Sequence, residues 1–490
     1  MALSAPRSTG WFERTALLRG PALPLVAALA LGVVGGVAVA ALGPLLPLIL
    51  LIGVVGAALV LLDARWGLLG ALGVILLLPF GTFPVKVGLT PTLLEGALGL
   101  TWLVFALRIM LRRDERLLPT RLDGPLCLFL IVTVFAFVLG LDSGYTTQTL
   151  HDYAKMVISI SIFFLIVNLV RTRRDLALAL WGVGLGGAVA ALLGLGLWAM
   201  GPAAANVLVK LARLGYPTSR IIRYVEDDPA KPIRATGTGV DPNSFAGLLM
   251  VVLVLLIAQA AARRPLVPRV LAMAAVPPVG LCLLLTQSRA AWVGAAAGIA
   301  LLALVRYRWL LAPLALGAVA VAALGIGRGF VQRFILGIQL KDPATKLRLA
   351  EYRNALAIIR NHPLFGVGFG AAPSIDQQTG VSSIYLTLAE RSGLLGLALF
   401  LVVIVVLAVT LWPAVLGRQA HAHAESEAAL ALAAALAAAL VAGALDHYFV
   451  NILFPHMVAL FWLLAALAVV AARLTSQAIR QDGPRREPPA

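Results

Sequence analysis

The chain is 490 residues long, 61% hydrophobic and only 12% charged, with a formal net charge of +17. A water-soluble protein is about a quarter charged, so these apolar side chains cannot all sit behind a water-facing surface, and soluble enzymes are excluded. The basic residues are scattered between apolar runs instead of gathered on one face, which excludes a nucleic-acid-binding domain and leaves a membrane protein.

A spanning helix needs about 20 apolar residues, and about 14 runs of that kind are found. They start near Ala22, Leu45, Trp66, Thr92, Pro125, Met156, Leu176, Asn243, Val270, Ala290, Trp309, Gly393, Ala428 and Met457. Residues 1–21 read as a cytoplasmic N-terminus. The run after them exceeds a signal-peptide core and a second run follows at once, so it reads as a retained helix. The chain then divides into a transmembrane bundle of about seven helices over 22–200, an extracytoplasmic loop over 201–242 and further spans over 243–325. A large extracytoplasmic loop over 326–392 precedes the spans of 393–474, and 475–490 form a disordered cytoplasmic tail. Cys127 and Cys282 both lie in apolar runs and read as packing residues. The pair His421 and His423 has no third ligand nearby, so no metal site is expected.

Alternating the spans from a cytoplasmic N-terminus puts over half of the 39 Lys and Arg on the inner side, as the positive-inside rule requires. The short outer connections hold only Lys86, Lys155 and Arg289. Most of the other outer basic residues fall in the two long loops, which escape that rule and so call for another reason, either ordinary solvated charge or an anion site.

Three stretches carry signal. The first long loop ends Arg234-Ala-Thr-Gly-Thr-Gly-Val-Asp241-Pro242-Asn243, where glycines let backbone approach a ligand and Asn243-Ser244 can cap the next helix. Thr286-Gln287-Ser288-Arg289 forms a tight outer turn whose arginine must be solvated or paired. The third runs from Lys346 to Pro363. Leu349, Tyr352, Leu356 and Ile359 make one apolar stripe of an amphipathic helix over 346–362, with Arg348, Glu351, Arg353 and Arg360 off it. His362-Pro-Leu-Phe-Gly-Val-Gly368 follows, then Ser382-Ser383-Ile384-Tyr385-Leu386, then Glu390 and Gly393-Leu-Leu-Gly396.

In this order the stretches resemble the O-antigen ligase / O-antigen polymerase superfamily of bacterial envelope enzymes. The matching positions are Arg234, Asp241–Asn243, Ser288–Arg289, Arg348, Tyr352, Ala355, His362–Gly368, Tyr385–Leu386, Glu390 and Gly393–Gly396, and the resemblance covers roughly residues 230–400. It implies an all-α polytopic, GT-C-like protein of the bacterial cytoplasmic (inner) membrane, with both termini cytoplasmic. Its partners would be an undecaprenyl-diphosphate-linked oligosaccharide donor, a glycan or lipid-linked acceptor, and membrane lipids, with no nucleic acid, cofactor or metal.

Such enzymes transfer a lipid-linked glycan to an acceptor hydroxyl. The leaving diphosphate gathers negative charge, which guanidinium forks suit. Arg289 and Arg348 are the expected catalytic residues, with Arg234, Asp241, Asn243, Tyr352, Tyr385 and Glu390 binding substrate. Where the family often carries His-Asn, with the expected catalytic histidine of the ligases, this chain has Ser382-Ser383. That points to a polymerase or another ligase over a lipopolysaccharide ligase and leaves the base open among Glu351, Asp376, Glu390, Asp446, His362 and His447. Asp446-His447 reads either as a carboxylate–imidazole pair or as an interfacial polar cluster. The competing classes are a lipid-linked oligosaccharide flippase and a non-catalytic family member. A flippase should hold ionisable groups near the bilayer midplane, where Glu95 is the nearest case.

Overall fold

The computed structural model describes residues 45–83, 89–111, 117–140, 144–323, 343–370 and 381–482. The chain separates into a unit ending at Asp63 and a second over Ala64–Ala490. In the first unit the described element is α1 (Leu45–Leu62). The second holds α2 (Arg65–Leu77), α3 (Leu93–Leu111), α4 (Asp123–Leu139), α5 (Thr147–Leu169), α6 (Arg173–Ala199) and α7 (Pro242–Ala261). They are followed by α8 (Arg269–Leu285), α9 (Arg289–Val305), α10 (Leu311–Ala323), α11 (Pro343–Asn361), α12 (Ile384–Leu416), α13 (Ala424–Gly443) and α14 (Pro455–Asp482). Short helical turns occupy part of 201–214 between α6 and α7. The predicted N-terminal segment and first span, Lys86, Asp376, residues 326–342 and the tail beyond Asp482 lie outside the described residues.

The all-α class expected from composition holds among the described residues. Seven helices, α3, α5, α6, α7, α12, α13 and α14, are long and apolar enough to cross a membrane. α2, α4, α8 and α9 are apolar but shorter, at 13 to 17 residues, so length and hydropathy do not by themselves return fourteen spans. Outward faces are apolar too: Leu128, Ile131, Phe135 and Val138 on α4, and Leu401, Val405, Val409 and Trp412 on α12 are exposed. A stripe of that kind requires a lipid surround.

The core is built on α7, α13 and α14, which are buried along most of their length. α14 packs on α5 and α13, and α13 also packs on α9 and α7. α13 can enter so closely because it is largely alanine. Facing it, Gly294 and Gly298 of α9 leave no room for a Cβ, which would stand 2.6 Å from the Ala438 carbonyl and 2.9 Å from that of Ala434. Small residues at one-turn spacing let two helix backbones touch, which is how membrane helices gain dispersion energy without a hydrophobic effect between them.

One end of the bundle is stitched by arginines. Arg65 pairs with Asp175 at 2.8 Å, Arg173 with Glu425 at 3.5 Å and Arg306 with Glu427 at 3.4 Å. Arg473 donates to the carbonyls of Val167 and Val170. Each of these contacts joins helix ends that the alternation of spans puts on the arginine-rich side. Glu95, the exception noted above, is not near mid-helix. It sits in the first turn of α3, accepting from Thr92 N and Oγ1 and facing His151 Nε2 at 2.9 Å.

α12 is broken at Gly393, whose φ of 71° and ψ of −179° are outside the helical range. The stretch Pro363–Gly368 fills the break. Leu394 N donates to Pro363 O, Val367 N to Glu390 O and Gly368 N to Arg391 O, at 2.7, 2.9 and 3.0 Å. The backbone groups freed by the break are thereby satisfied, the condition for irregular backbone within a bundle. A Cβ on Gly393 would lie 2.0 Å from the Leu364 carbonyl, so glycine is required on both counts.

Candidate functional site

The predicted site residues are carried by the end of the bundle opposite the arginine stitches, where α7, α9, α12 and α14 begin and α8 and α13 finish. Asp241 caps α7, its carboxylate accepting from Ser244 N at 2.6 Å, and Pro242 supplies the first helical residue. This corrects the sequence reading, which gave the cap to Asn243-Ser244. Asn243 is occupied otherwise: its Oδ1 accepts from Arg234 Nη2 at 2.6 Å. Arg234 Nε donates to the carbonyl of Thr286 at 2.7 Å, one of the acceptors left open where α8 ends. The strap is tied down by Ala235 N on Leu285 O at 3.0 Å and Arg234 N on Arg223 O at 2.8 Å. Arg289 opens α9 three residues after Thr286, half-buried.

α11 faces this cluster with a stripe turned from the predicted one, keeping Ile359 buried but not Leu356. Glu351, Ala355, Ile358 and Ile359 are buried, while Leu356 is 47% exposed. The stripe is turned because Glu351 finds partners that make its burial tolerable. Ser382 Oγ and N donate to its Oε2 at 2.7 and 3.1 Å. Tyr352 donates its hydroxyl to the Ser382 carbonyl at 2.9 Å. Arg348 is half-buried and its guanidinium forms no hydrogen bond among the described residues. Its charge acts on Asp446, Tyr352 and Tyr448.

The turn between α13 and α14 closes the site. Asp446 is 3% exposed. Its Oδ1 accepts from His447 N at 2.9 Å and faces His447 Nδ1 at 3.0 Å. Its Oδ2 has no hydrogen-bond partner among the described residues, nor has the buried hydroxyl of Tyr448 or Arg223 Nε.

The electrostatics tie these segments together. Burial pulls the Arg234 guanidinium below its usual value, and Asp241 and Asp446 act against that. Burial raises the Asp241 carboxyl, and the Asp446 charge raises it further against the Ser244 N–H. Burial also pushes Asp446 upward, but the His447 hydrogen bond and charge, together with Arg348, outweigh it and leave Asp446 below the usual carboxylate range. Two neighbouring carboxyls are thus driven in opposite directions. Beside Arg223 and Arg234 lies a shallow surface depression whose other walls include Leu197, Trp198, Leu208, Ile222 and Ile233.

Of the predicted residues, Arg234, Asp241, Asn243, Arg348 and Tyr352 are brought together, and Arg289 stands on the adjoining turn. Tyr385 and Glu390 are placed elsewhere. The Tyr385 hydroxyl donates to Leu440 O at 3.0 Å, tying α12 to α13. Glu390 is buried and its side chain forms no hydrogen bond among the described residues, while its backbone holds the glycine-rich stretch. Arg223 was not foreseen. It belongs to no motif and reaches the site only because the strap folds back on itself.

A family model described as O-antigen ligase (Wzy_C) matches residues 278–401. The segment opens in α8, closes in α12 and includes Arg289, Arg348, Tyr352, Tyr385 and Glu390. No curated protein matches the chain. Arg234, Asp241 and Asp446 lie outside the matched segment and join the site through the fold.

Proposed function

We propose that this multi-pass membrane protein, whose residues 278–401 carry an O-antigen ligase domain, polymerises or ligates undecaprenyl-diphosphate-linked glycans on the outer side of the bacterial cytoplasmic membrane. The observation that carries this reading is the convergence of Arg234 and Arg348 on one buried carboxylate, Asp446, from segments far apart in sequence. Among the described residues no group takes a hydrogen bond from the Arg348 fork, and Arg234 keeps donors beyond the two that hold Asn243 and Thr286. A diphosphate seated between them would accept from both while its glycosidic bond breaks. Preorganised donors of this kind contribute about 2.7–4 kcal/mol each to the transition state. Arg289, at the start of α9, adds positive charge on the same side, and a helix N-terminus favours an anion there. Diphosphate is a weak base and leaves without protonation, so the reading calls for no metal.

The test is turnover of purified protein in detergent with an undecaprenyl-diphosphate oligosaccharide, following free undecaprenyl diphosphate and glycan length by mass spectrometry. Release coupled to a longer or transferred glycan, lost in Arg348→Ala and Arg289→Ala, is expected. No release from wild type with several donors and acceptors would end the transferase reading and favour a flippase.

A further inference from the structure

The two faces of α11 differ in chemistry. Its inner face lays Glu351, Ala355, Ile358 and Ile359 on the bundle. The opposite face carries Arg353, Leu356, Ala357 and Arg360 at three- and four-residue steps, all exposed. Just past the helix end, Leu364 is 66% exposed. Packing on the bundle accounts for the inner face and leaves open why two leucines stand uncovered beside two arginines. Between Arg348 and Leu364 the one carboxylate is Glu351, which is buried and held by Ser382. The exposed face is therefore basic and apolar, with no acid on it.

The backbone at Leu364 shows what this face adjoins. The Pro363 carbonyl accepts from Leu394 N at 2.7 Å, and the Leu364 carbonyl accepts from Leu395 N at 3.4 Å. Leu394 and Leu395 are exposed as well. At helical steps Leu394 leads into Leu401, Val405, Val409 and Trp412, the outward stripe of α12 that requires a lipid surround. The exposed end of α11 is thus continuous with the lipid-facing surface of the bundle, and Arg360, Leu356 and Arg353 follow it back along the helix.

We propose that the outer face of α11 is a docking site for anionic phospholipid, with Arg353 and Arg360 on headgroup phosphates and Leu356 and Leu364 entering the acyl boundary. A helix with leucines and arginines on its exposed face lies in the membrane interface in this way, bound by apolar area together with charge. The guanidinium grips phosphate oxygens in a fork, while its stem lies along apolar surface and its head stays at the phosphate level. A free phosphate would satisfy the arginines but leave both leucines in water, whereas a lipid satisfies both. Docking fixes the roll of α11 against the bilayer and so fixes where Arg348 and Tyr352, on the side of the helix toward Asp446, are presented to the site. The inference rests on the membrane-spanning character of the chain and holds whether or not the chain is a transferase.

The experiment places the full chain in phosphatidylcholine nanodiscs with and without phosphatidylglycerol and follows amide hydrogen exchange over α11. Each arginine near an anionic surface strengthens docking about fivefold, so the two together should slow exchange by up to about 25-fold when phosphatidylglycerol is present. In a chain carrying both Arg353→Gln and Arg360→Gln the slowing should be lost, with exchange in α14 unchanged. In wild type it should fade at high salt, because exposed charges are screened. Equal exchange in the two lipids, or slowing that survives in the double variant, overturns the proposal. Slowing by inorganic phosphate alone in phosphatidylcholine discs also overturns it, since the site would then be one for a free anion. If the double variant fails to fold, the salt series of wild type decides, and slowing that persists at high salt overturns the proposal as well.

Discussion

Ser382 Oγ donates to Glu351 Oε2 at 2.7 Å, and through that bond the start of α12 is fixed to α11. The O-antigen ligase pattern often carries a histidine at this place, and here the serine is instead engaged by the framework, through Glu351 and Tyr352. The bond is to a charged acceptor, which stabilises by about 1.5–3 kcal/mol. Ser382→Ala should lower the thermal midpoint in detergent while leaving kcat within a few-fold of wild type. A collapse of kcat with an unchanged midpoint would return the base to this position.

Arg234 and Arg348 should separate under substitution. Arg234 holds Asn243 and the carbonyl of Thr286, so Arg234→Ala should lose both stability and turnover. Arg348→Ala breaks no hydrogen bond among the described residues, and turnover should fall by about 10²- to 10³-fold with the thermal midpoint little changed. Arg348→Lys should recover only part of this, because an ammonium keeps the charge without the bidentate fork. Equal effects of the two alanines on stability would contradict this division.

Gly393→Ala should be among the most damaging single changes in the chain. The positive φ alone costs about 1–3 kcal/mol for a residue with a Cβ, and here the Cβ would also press on the Leu364 carbonyl. Yield of monodisperse protein from a detergent extract, compared with a neutral change such as Gly99→Ala in open space, is the measurement. Equal yields would show that the break in α12 can close into regular helix.

Asp241 gives a pH dependence of definite sign. Its carboxyl is raised in the folded protein, so its contribution to stability is fully present below the unfolded value and is lost as pH rises through the folded one. Asp446 is lowered, so its contribution is present above the unfolded value and is lost as pH falls through the folded one. Asn caps helices as well as Asp, so Asp241→Asn should flatten the loss between mildly acid and neutral pH. Thermal midpoints of both proteins across that range would reveal it, and parallel curves would refute the buried-charge account of Asp241.

Much of this was legible in the chain itself. Alternating arginine content put Arg65, Arg173, Arg306 and Arg473 on one side, and in the fold these arginines tie helix ends together by ion pairs and carbonyl contacts, because charge resists the bilayer wherever it falls. The glycine-rich strap and Asp241-Pro242 announced a helix start, because proline at the first helical residue and a carboxylate before it satisfy local donors. Local chemistry could not decide which of Asp241 and Asn243 makes the cap, since that depends on Arg234 arriving from the strap. The face of α11 was misread for the same reason. Its apolar period is a property of the sequence, but the burial of Glu351 depends on Ser382, thirty-one residues on.

The amino-acid sequence by itself determined the solvent this protein folds in, the run of its helices, and the presence of arginines outside the apolar runs, because those follow from transfer energies that each residue carries alone. Only the tertiary structure decided that Arg234, Arg348 and Asp446 lie together, that the Tyr385 hydroxyl is held by Leu440 O and that the Glu390 carbonyl takes Val367 N. Coulomb forces and hydrogen bonds act over a few ångströms, and only packing of α7, α11 and α13 brings groups hundreds of residues apart within that range.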